Sequence, residues 1–188
     1  MKRFIATSLL AVMAVTGFAQ DKKQQSHGYP IDPVPFTSVK VTDAFWGQRL
    51  QASRETTIPL AFSKCESENR YTNFSQAAEH LQDPSKVFKV DGVMGYSFDD
   101  TDPYKTLEGA SYLLQTYPNA KFKGKSLDKY CDSVIAVIAS AQEPDGYLFT
   151  ARTQNPKEPH GWAGTKRWEM VEDLSHEFYN LGHLCEAA

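Results

Sequence analysis

The sequence predicts a mainly α-helical protein, and the spacing of apolar residues in three stretches supports that prediction. Apolar residues recur every three or four positions from Tyr104 to Tyr117 and from Ser126 to Ala141. Such spacing places apolar side chains on one face of an α-helix. Alternation typical of a β-strand is confined to residues 36–41, from Phe36 to Val41. The third helical stripe, near the end of the chain, comprises Leu174, Phe178, Leu181 and Cys185.

Capping and helix-breaking residues predict one further helix near the start of the chain. Asp43 or Thr42 can cap a helix that begins near Phe45 and runs toward Lys64. Pro59 is the position where that helix would break, because proline lacks the N–H that a helix interior needs.

The first nineteen residues have the features of a signal peptide. A basic start at residues 1–3 precedes a largely apolar run at 4–15, and Gly17-Phe18-Ala19 supplies the small residues that a signal peptidase requires. The apolar run is shorter than the roughly 20 residues that span a bilayer, so we expect cleavage after Ala19 rather than a membrane anchor. We therefore expect export to the periplasm or the medium, with residues 20–35 as a flexible mature N-terminus.

Charge and cysteine content narrow the possible partners and cofactors. The formal net charge of −3 gives no reason to expect nucleic acid or an anionic membrane as a partner. The three cysteines are widely spaced and form no C-x-x-C pair. We expect Cys131 and Cys185 to be buried free thiols on apolar helix faces. A bridge between Cys65 and Cys131 is the alternative in an exported protein.

The long loop from Glu143 to Glu172 is rich in glycine, proline and aromatic residues. A loop of this length in a compact domain is usually functional. Tyr147 and Phe149, which follow an Asp-Gly turn, can either lie beside sugar rings or pack the turn itself. Trp162 and Trp168 leave the same two interpretations open, because aromatic faces stack on the C–H faces of sugars but also form small loop cores.

The segment from His176 to Ala188 concentrates polar residues that can bind a ligand. Seven positions separate His176 from His183, which corresponds to roughly 10 Å along a helix. That separation is too large for joint zinc ligation but suits hydrogen bonds to different parts of one ligand. Glu177 and Asn180 can orient or join that face. The alternative is that both histidines are structural.

Three aspartates precede the helix that begins near Tyr104. Asp99, Asp100 and Asp102 lack the ligand order of an EF-hand, so we expect a solvated cluster at the helix start rather than a metal site. The chain also contains no P-loop, dinucleotide fingerprint or G-x-S-x-G elbow.

Four sequence blocks occur in a recognisable order. They are VTDAFWGQR at 41–49, YKTLEGA at 104–110, AQEPDGYL at 141–148 and HEFYNLGHLCEAA at 176–188. Together they resemble glycoside hydrolase family 127, the β-L-arabinofuranosidase-like proteins. The resemblance covers roughly residues 36–188 and implies the N-terminal part of an (α/α)6 barrel catalytic domain of the six-hairpin glycosidase type.

The resemblance also implies a function, a cofactor and site residues. Members of this family are retaining exo-hydrolases of β-L-arabinofuranosides in oligosaccharides or polysaccharides. They use a zinc-bound cysteine thiolate as nucleophile and a glutamate as acid/base, and zinc keeps the thiol deprotonated. Those positions follow the matched blocks, so the resemblance assigns no catalytic residue or zinc ligand in this chain. It assigns sugar contacts to His183 and then His176, and Trp162 and Tyr147 are further substrate-binding candidates.

We therefore interpret the chain as the N-terminal part of an exported glycosidase acting on plant-type glycans. We expect it to be inactive by itself, because an incomplete ring of helices cannot bury its inner face. The alternatives are a sugar isomerase or lyase on the same barrel, and a non-catalytic glycan-binding protein.

Overall fold

The computed structural model describes residues 31–89 and 96–188, which are mainly α-helical as predicted. The signal peptide predicted for residues 1–19, and the tail predicted for 20–35 as far as residue 30, lie outside the described residues. A π-helical segment, Ser53–Thr57, and a small antiparallel sheet accompany the helices. The elements are α1 (Ala44–Ala52), α2 (Ile58–Ser67), α3 (Thr72–Gln82), α4 (Thr101–Thr116), β1 (Lys121–Phe122), β2 (Lys125–Ser126), α5 (Leu127–Ser140), α6 (Thr150–Thr153) and α7 (Glu177–Ala187).

The chain divides into two units, Met1–Ser38 and Val39–Ala188. The described part of the first unit contains a 3-10 turn, Phe36–Ser38, closed by the N–H of Ser38 donating to the carbonyl of Pro35 at 2.9 Å. The strand predicted from Phe36 to Val41 is wrong. Among the described residues the sheet consists of β1 and β2 alone, and residues 36–41 are not part of it.

The first helix of the larger unit begins as predicted but continues past the predicted break. Oδ1 of Asp43 accepts the N–H of Trp46 at 2.8 Å, which caps α1. Pro59 lies in the first turn of α2, where a missing N–H costs little. The irregularity lies earlier, in the π-helical segment, where the N–H of Ile58 donates to the carbonyl of Ser53. The predicted break at Pro59 is therefore wrong.

Helices α2 to α5 enclose the main hydrophobic core. The buried ring of Phe62 packs against Phe122 at 5.6 Å and Tyr130 at 5.0 Å between centroids. The stripes predicted from Tyr104 to Tyr117 and from Ser126 to Ala141 are confirmed as α4 and α5. The core residues are Ile58, Phe62, Phe74, Ala77, Tyr104, Leu107, Ala110, Leu113, Phe122, Leu127, Cys131, Val134, Ile138 and Ala141.

Helix α3 is an element that the sequence analysis missed. Its buried face combines the apolar Phe74, Ala77 and Ala78 with the polar Asn73. Small and polar residues on a buried face weaken the apolar periodicity on which helix prediction depends.

Two of the three aspartates at the start of α4, Asp99 and Asp100, are buried, and Asp102 is half-exposed, so the expectation of a solvated cluster is wrong for the first two. Asp100 is 0% exposed, and its carboxylate accepts the side-chain N–H of Asn73 at 2.5 Å and the backbone N–H of Thr150 at 2.9 Å. The hydroxyl of Thr150 donates to the same carboxylate at 2.5 Å. Asp99, 4% exposed, forms an ion pair with Arg70 at 2.9 Å. Asp100 therefore ties the start of α4 to α3 and α6.

Helix α7 packs along α4 through a face that differs from the predicted stripe. Glu177 and Asn180 are buried, and Leu184 and Ala187 are half-buried against the main core. The predicted stripe lies on the exposed side, where Phe178 is 60% exposed and the other three members are exposed as well. The prediction fails because the polar Glu177 finds hydrogen-bond donors in the interior, so polarity does not mark the outer face here.

All three cysteines are free, which excludes the bridge between Cys65 and Cys131. Cys131 is buried as predicted. Cys185 is exposed, so its predicted burial is wrong.

Asp100 gives a testable pH dependence of stability. Burial raises the pKa of Asp100 from its ordinary 3.8 to about 6, although its hydrogen bonds favour the charged form. The folded state therefore binds this proton more tightly than the unfolded state, and the stability contribution of Asp100 falls as pH rises from about 4 to about 6. We expect the free energy of unfolding of the wild type to fall by on the order of 2 kcal/mol relative to Asp100→Asn across that interval.

Urea unfolding of both proteins at several pH values, followed by tryptophan fluorescence, measures this difference. Asp128→Asn removes an exposed carboxyl of α5 and serves as the control. A difference between wild type and Asp100→Asn that does not change with pH would contradict the assignment.

Candidate functional site

The chain enters α7 through a residue in the left-handed conformation. His176 has φ 59° and ψ 22° and directly precedes the helix. Its carbonyl accepts the first helical hydrogen bond, from the N–H of Asn180 at 2.8 Å. The sequence analysis placed His176 on the same helix face as His183. In the structure His176 instead lies at the start of the helix. The buried hydroxyl of Ser97 fixes this turn by donating to the carbonyl of Leu174 at 3.0 Å.

The imidazole of His176 has one nitrogen engaged and one available. Nδ1 lies 2.8 Å from the carbonyl oxygen of Leu174. A carbonyl can only accept, so Nδ1 carries the proton, and Nε2 of the neutral ring is an acceptor. Nε2 has no hydrogen-bond partner among residues 31–89 and 96–188. The ring also packs on Phe98, with centroids 4.6 Å apart.

His183 is held in the same way by a different partner. Its Nδ1 lies 3.0 Å from Oε2 of Glu108, a half-buried carboxylate on α4. A carboxylate is an acceptor, so Nδ1 again donates and Nε2 is the available nitrogen. The packing of α7 on α4 brings this pair together.

Tyr179 links the two histidines into one surface, which we call the histidine strip and define as His176, Tyr179 and His183. The ring of Tyr179 makes edge contacts with His176 at 5.9 Å and His183 at 4.7 Å between centroids. Nζ of Lys105 lies 4.6 Å from the centre of the Tyr179 ring. Together with Lys105, the strip thus presents two imidazole acceptors and one ammonium donor on an open surface.

Tyr147 and Glu177 form a buried hydrogen-bonded pair beneath the loop, so Tyr147 does not present an exposed ring to a ligand. Tyr147 is 7% exposed, and its hydroxyl donates to Oε1 of Glu177 at 2.6 Å. The carboxylate of Glu177 also accepts the N–H of Trp168 at 3.1 Å. The ring of Tyr147 packs with Phe149, Ala151 and Ala163 in a second small core. The structure therefore favours the packing interpretation for the Asp-Gly-Tyr segment.

The two tryptophans of the loop occupy different surroundings. Trp162 is half-buried and lies in an aromatic cluster with Phe98, at 6.5 Å, and His160, at 5.4 Å. Trp168 stacks on Phe178 at 4.9 Å, on the outer side of α7. Of the four predicted substrate contacts, the structure brings Trp162 and His176 together through Phe98. It joins His183 to them through Tyr179 and leaves Tyr147 in the interior.

Sequence reasoning missed three residues that shape this surface: Phe98, Lys105 and Glu108. Lys105 and Glu108 lie in the YKTLEGA block, and their i, i+3 spacing places them on neighbouring positions of α4. That spacing could have identified Lys105 and Glu108 from the sequence as neighbours on one helix face. Phe98 precedes α4 and carried no local signal, because only the folded chain brings it to His176.

Two clefts of the described residues lie away from the strip. One of about 590 Å³ is lined by Arg54, Tyr117 and neighbouring residues of α2 and β1. The other, of about 310 Å³, lies between α2 and α4 and is lined in part by Lys105, which also contacts Tyr179 of the strip. Neither is lined by any of the four predicted substrate contacts. We place the candidate site at the strip, because two of the four predicted substrate contacts, His176 and His183, lie there with ring nitrogens that can accept hydrogen bonds.

The described residues do not provide a zinc site. They contain no group of three or more His, Cys, Asp or Glu side chains placed to hold a metal ion. Burial raises the pKa of the Cys131 thiol to about 11 and also raises that of Cys65, so neither favours the thiolate that zinc binds. A search of the same residues also found no helix with the length and apolar content needed to cross a membrane.

The imidazoles and the ammonium group on this surface can form hydrogen bonds to sugar hydroxyls, and the aromatic rings can pack against sugar C–H groups. Residues 38–188 match the family model described as the β-L-arabinofuranosidase, GH127 catalytic domain. The chain therefore belongs to glycoside hydrolase family 127.

Individual relatives agree with this assignment. The chain is 32% identical over 162 residues to a non-reducing end β-L-arabinofuranosidase of Bifidobacterium longum, covering 80% of this chain and 23% of that protein. It superposes on a solved GH127 β-arabinofuranosidase with a TM-score of 0.75 and 69% identity, over 86% of this chain and 24% of the other. It superposes on a GH127 β-L-arabinofuranosidase from Geobacillus stearothermophilus T6 with a TM-score of 0.59 and 32% identity. That match covers 80% of this chain and 21% of the other.

Two facts follow from these comparisons. The predicted fold class is confirmed, and the helices are part of an (α/α)6 barrel. The chain spans about a quarter of the length of the relatives that it matches.

Proposed function

We propose that the complete polypeptide carrying this chain is an exported hydrolase that releases terminal β-L-arabinofuranosyl residues from plant-type glycans with retention. The observation that supports this most is the 69% identity to a protein of known structure that is named a β-arabinofuranosidase. The relative from Bifidobacterium longum is named as acting at the non-reducing end, which supports an exo mode of cleavage. Retention is the outcome of double displacement through a glycosyl-enzyme intermediate.

In this proposal the chain supplies sugar contacts, and the reacting groups come from elsewhere in the polypeptide. Support comes from the length of the relatives and from the absence of a three-residue metal cluster in the described part of this chain. The zinc ion and its thiolate ligands would therefore be held by other residues. Residues 20–188 alone would be inactive.

The histidine strip gives this chain a defined part in substrate binding. Both imidazoles have Nδ1 engaged, so both offer Nε2 as an acceptor for a sugar hydroxyl. Lys105 can donate to a ring or hydroxyl oxygen beside them. Rigid acceptors and donors at fixed separation select a sugar by the positions of its hydroxyl groups.

The activity is tested with the complete polypeptide and methyl β-L-arabinofuranoside. We expect L-arabinose as the product, released first as the β-anomer because two displacements restore the configuration. Proton NMR of the early reaction distinguishes the anomers. Release of the α-anomer would contradict retention. Binding without turnover would favour the glycan-binding alternative, and an unsaturated or isomerised product would favour a lyase or isomerase.

Substitution of the strip histidines tests their role. We expect His176→Ala and His183→Ala each to lower kcat/KM for that substrate by about 10- to 100-fold, the usual cost of removing one hydrogen bond to a substrate hydroxyl. Steady-state kinetics measures the effect, with circular dichroism to confirm folding. His80→Ala is the matched control, because His80 lies on α3 and bonds only to the carbonyl of Lys86 among the described contacts. Unchanged kcat/KM in both strip variants would contradict sugar contact.

Export is tested by the N-terminus of the protein made in a Gram-negative host. The basic start, the apolar run and the small residues before Gln20 support cleavage after Ala19. We expect mass spectrometry to find Gln20 as the first residue of periplasmic protein, and Ala19→Asp to prevent this cleavage. Cytoplasmic protein that retains residues 1–19 would contradict export.

A further inference from the structure

Three aromatic rings form a ledge beside the histidine strip; we define the ledge as Tyr96, Phe98 and Trp162. Tyr96 and Phe98 have centroids 5.0 Å apart and an interplanar angle of 18°. Phe98 and Trp162 have centroids 6.5 Å apart and an angle of 20°. Tyr96 is 44% exposed, and the other two rings are partly exposed. Tyr96 and Trp162 have centroids 6.1 Å apart and are tilted by 37°, so the three rings pack on one another. The parts of the rings that stay exposed form an apolar surface on which the C–H groups of a sugar can pack.

The ledge is fixed in place from both sides. Ser97, between its first two members, is 1% exposed and anchored to the carbonyls of Leu174 and Ser175. Trp162 lies in the 3-10 turn Gly161–Ala163, where its N–H donates to Nδ1 of His160 at 3.1 Å and the N–H of Ala163 donates to the carbonyl of His160 at 2.8 Å. Because these side chains are already ordered, binding a ligand here costs the protein little conformational entropy.

The ledge is continuous with the candidate sugar site at one end only. Phe98 contacts His176 at 4.6 Å, whereas His183, Glu108 and Lys105 lie toward the other end of the strip. Polar hydrogen-bonding groups therefore give way to aromatic faces along the surface. One pentose does not require both kinds of contact over such a length, since the strip alone extends roughly 10 Å along the helix axis.

We propose that the ledge is the binding subsite for the second sugar ring, the one that stays with the glycan after the terminal arabinofuranosyl residue is released. This inference rests on the proposed function. An enzyme that acts at the non-reducing end must hold the remaining glycan beside the reacting sugar. The exposed parts of the ledge offer the C–H groups of that ring an apolar packing surface next to His176.

The test compares two substrates in the complete polypeptide. One is a β-L-arabinofuranosyl disaccharide, which has a second ring, and the other is methyl β-L-arabinofuranoside, which has none. Trp162→Ala is expected to lower kcat/KM for the disaccharide about tenfold and to leave the value for the methyl glycoside within about twofold. Trp168→Ala, from the same loop but stacked on Phe178, is the matched control and should change neither value in this selective way.

Each outcome decides the proposal. A selective loss with the disaccharide supports the ledge as the second-sugar subsite. An equal loss with both substrates, or no loss with either, overturns it. If the wild type cleaves neither substrate, the proposed function has failed, and binding of the disaccharide measured by calorimetry then decides. Binding that Trp162→Ala weakens about tenfold supports the ledge, and binding that it leaves unchanged overturns it.

Discussion

The carboxylate of Asp100 is the contact on which the geometry of the candidate site depends. It joins α3 through Asn73 and the start of α6 through Thr150, at the point where α4 begins. Helix α4 then carries Lys105 and Glu108 toward α7, and the segment just before it carries Phe98. A shift of the start of α4 would therefore move both the partner of His183 and the ring beneath His176. A carboxylate in this position costs free energy to bury, and three donors offset that cost.

A second buried carboxylate organises the other side of the site. Glu177 lies in the first turn of α7, where a negative charge interacts favourably with the helix dipole. It receives the hydroxyl of Tyr147 and the backbone N–H of Trp168, and so connects the long loop to the helix that carries the histidines. The loop is thus ordered by contacts with its own aromatic residues, while Trp162 remains at the surface. The packing interpretation holds for Tyr147, whereas a sugar contact of Trp162 stays a prediction.

Sequence reasoning predicted the parts of the molecule that obey simple periodicity. Helices α4 and α5 follow from regular apolar spacing, and the terminal block identified the two histidines as a pair. Sequence reasoning failed where polar residues are buried. The buried Asn73 interrupts the apolar spacing of α3, so that helix was not predicted. Burial of Glu177 and Asn180 means that the buried face of α7 is not the one predicted. The contact between Phe98 and His176 could not be read from the sequence, because 78 positions separate the two residues and only tertiary packing joins them.

The left-handed backbone of His176 makes this position demanding in two respects at once. The residue there must adopt φ 59°, which costs most side chains roughly 1 kcal/mol or more, and it must also present a ring nitrogen beside Phe98. Histidine and asparagine tolerate this backbone better than other large residues, while glycine tolerates it but has no side chain to offer. A replacement that copies the hydrogen bonding of imidazole, such as glutamine, would still bear the strain of this backbone and so destabilise the start of α7. A substitution at this residue therefore acts on the stability of the helix start as well as on the surface that presents the ring nitrogen.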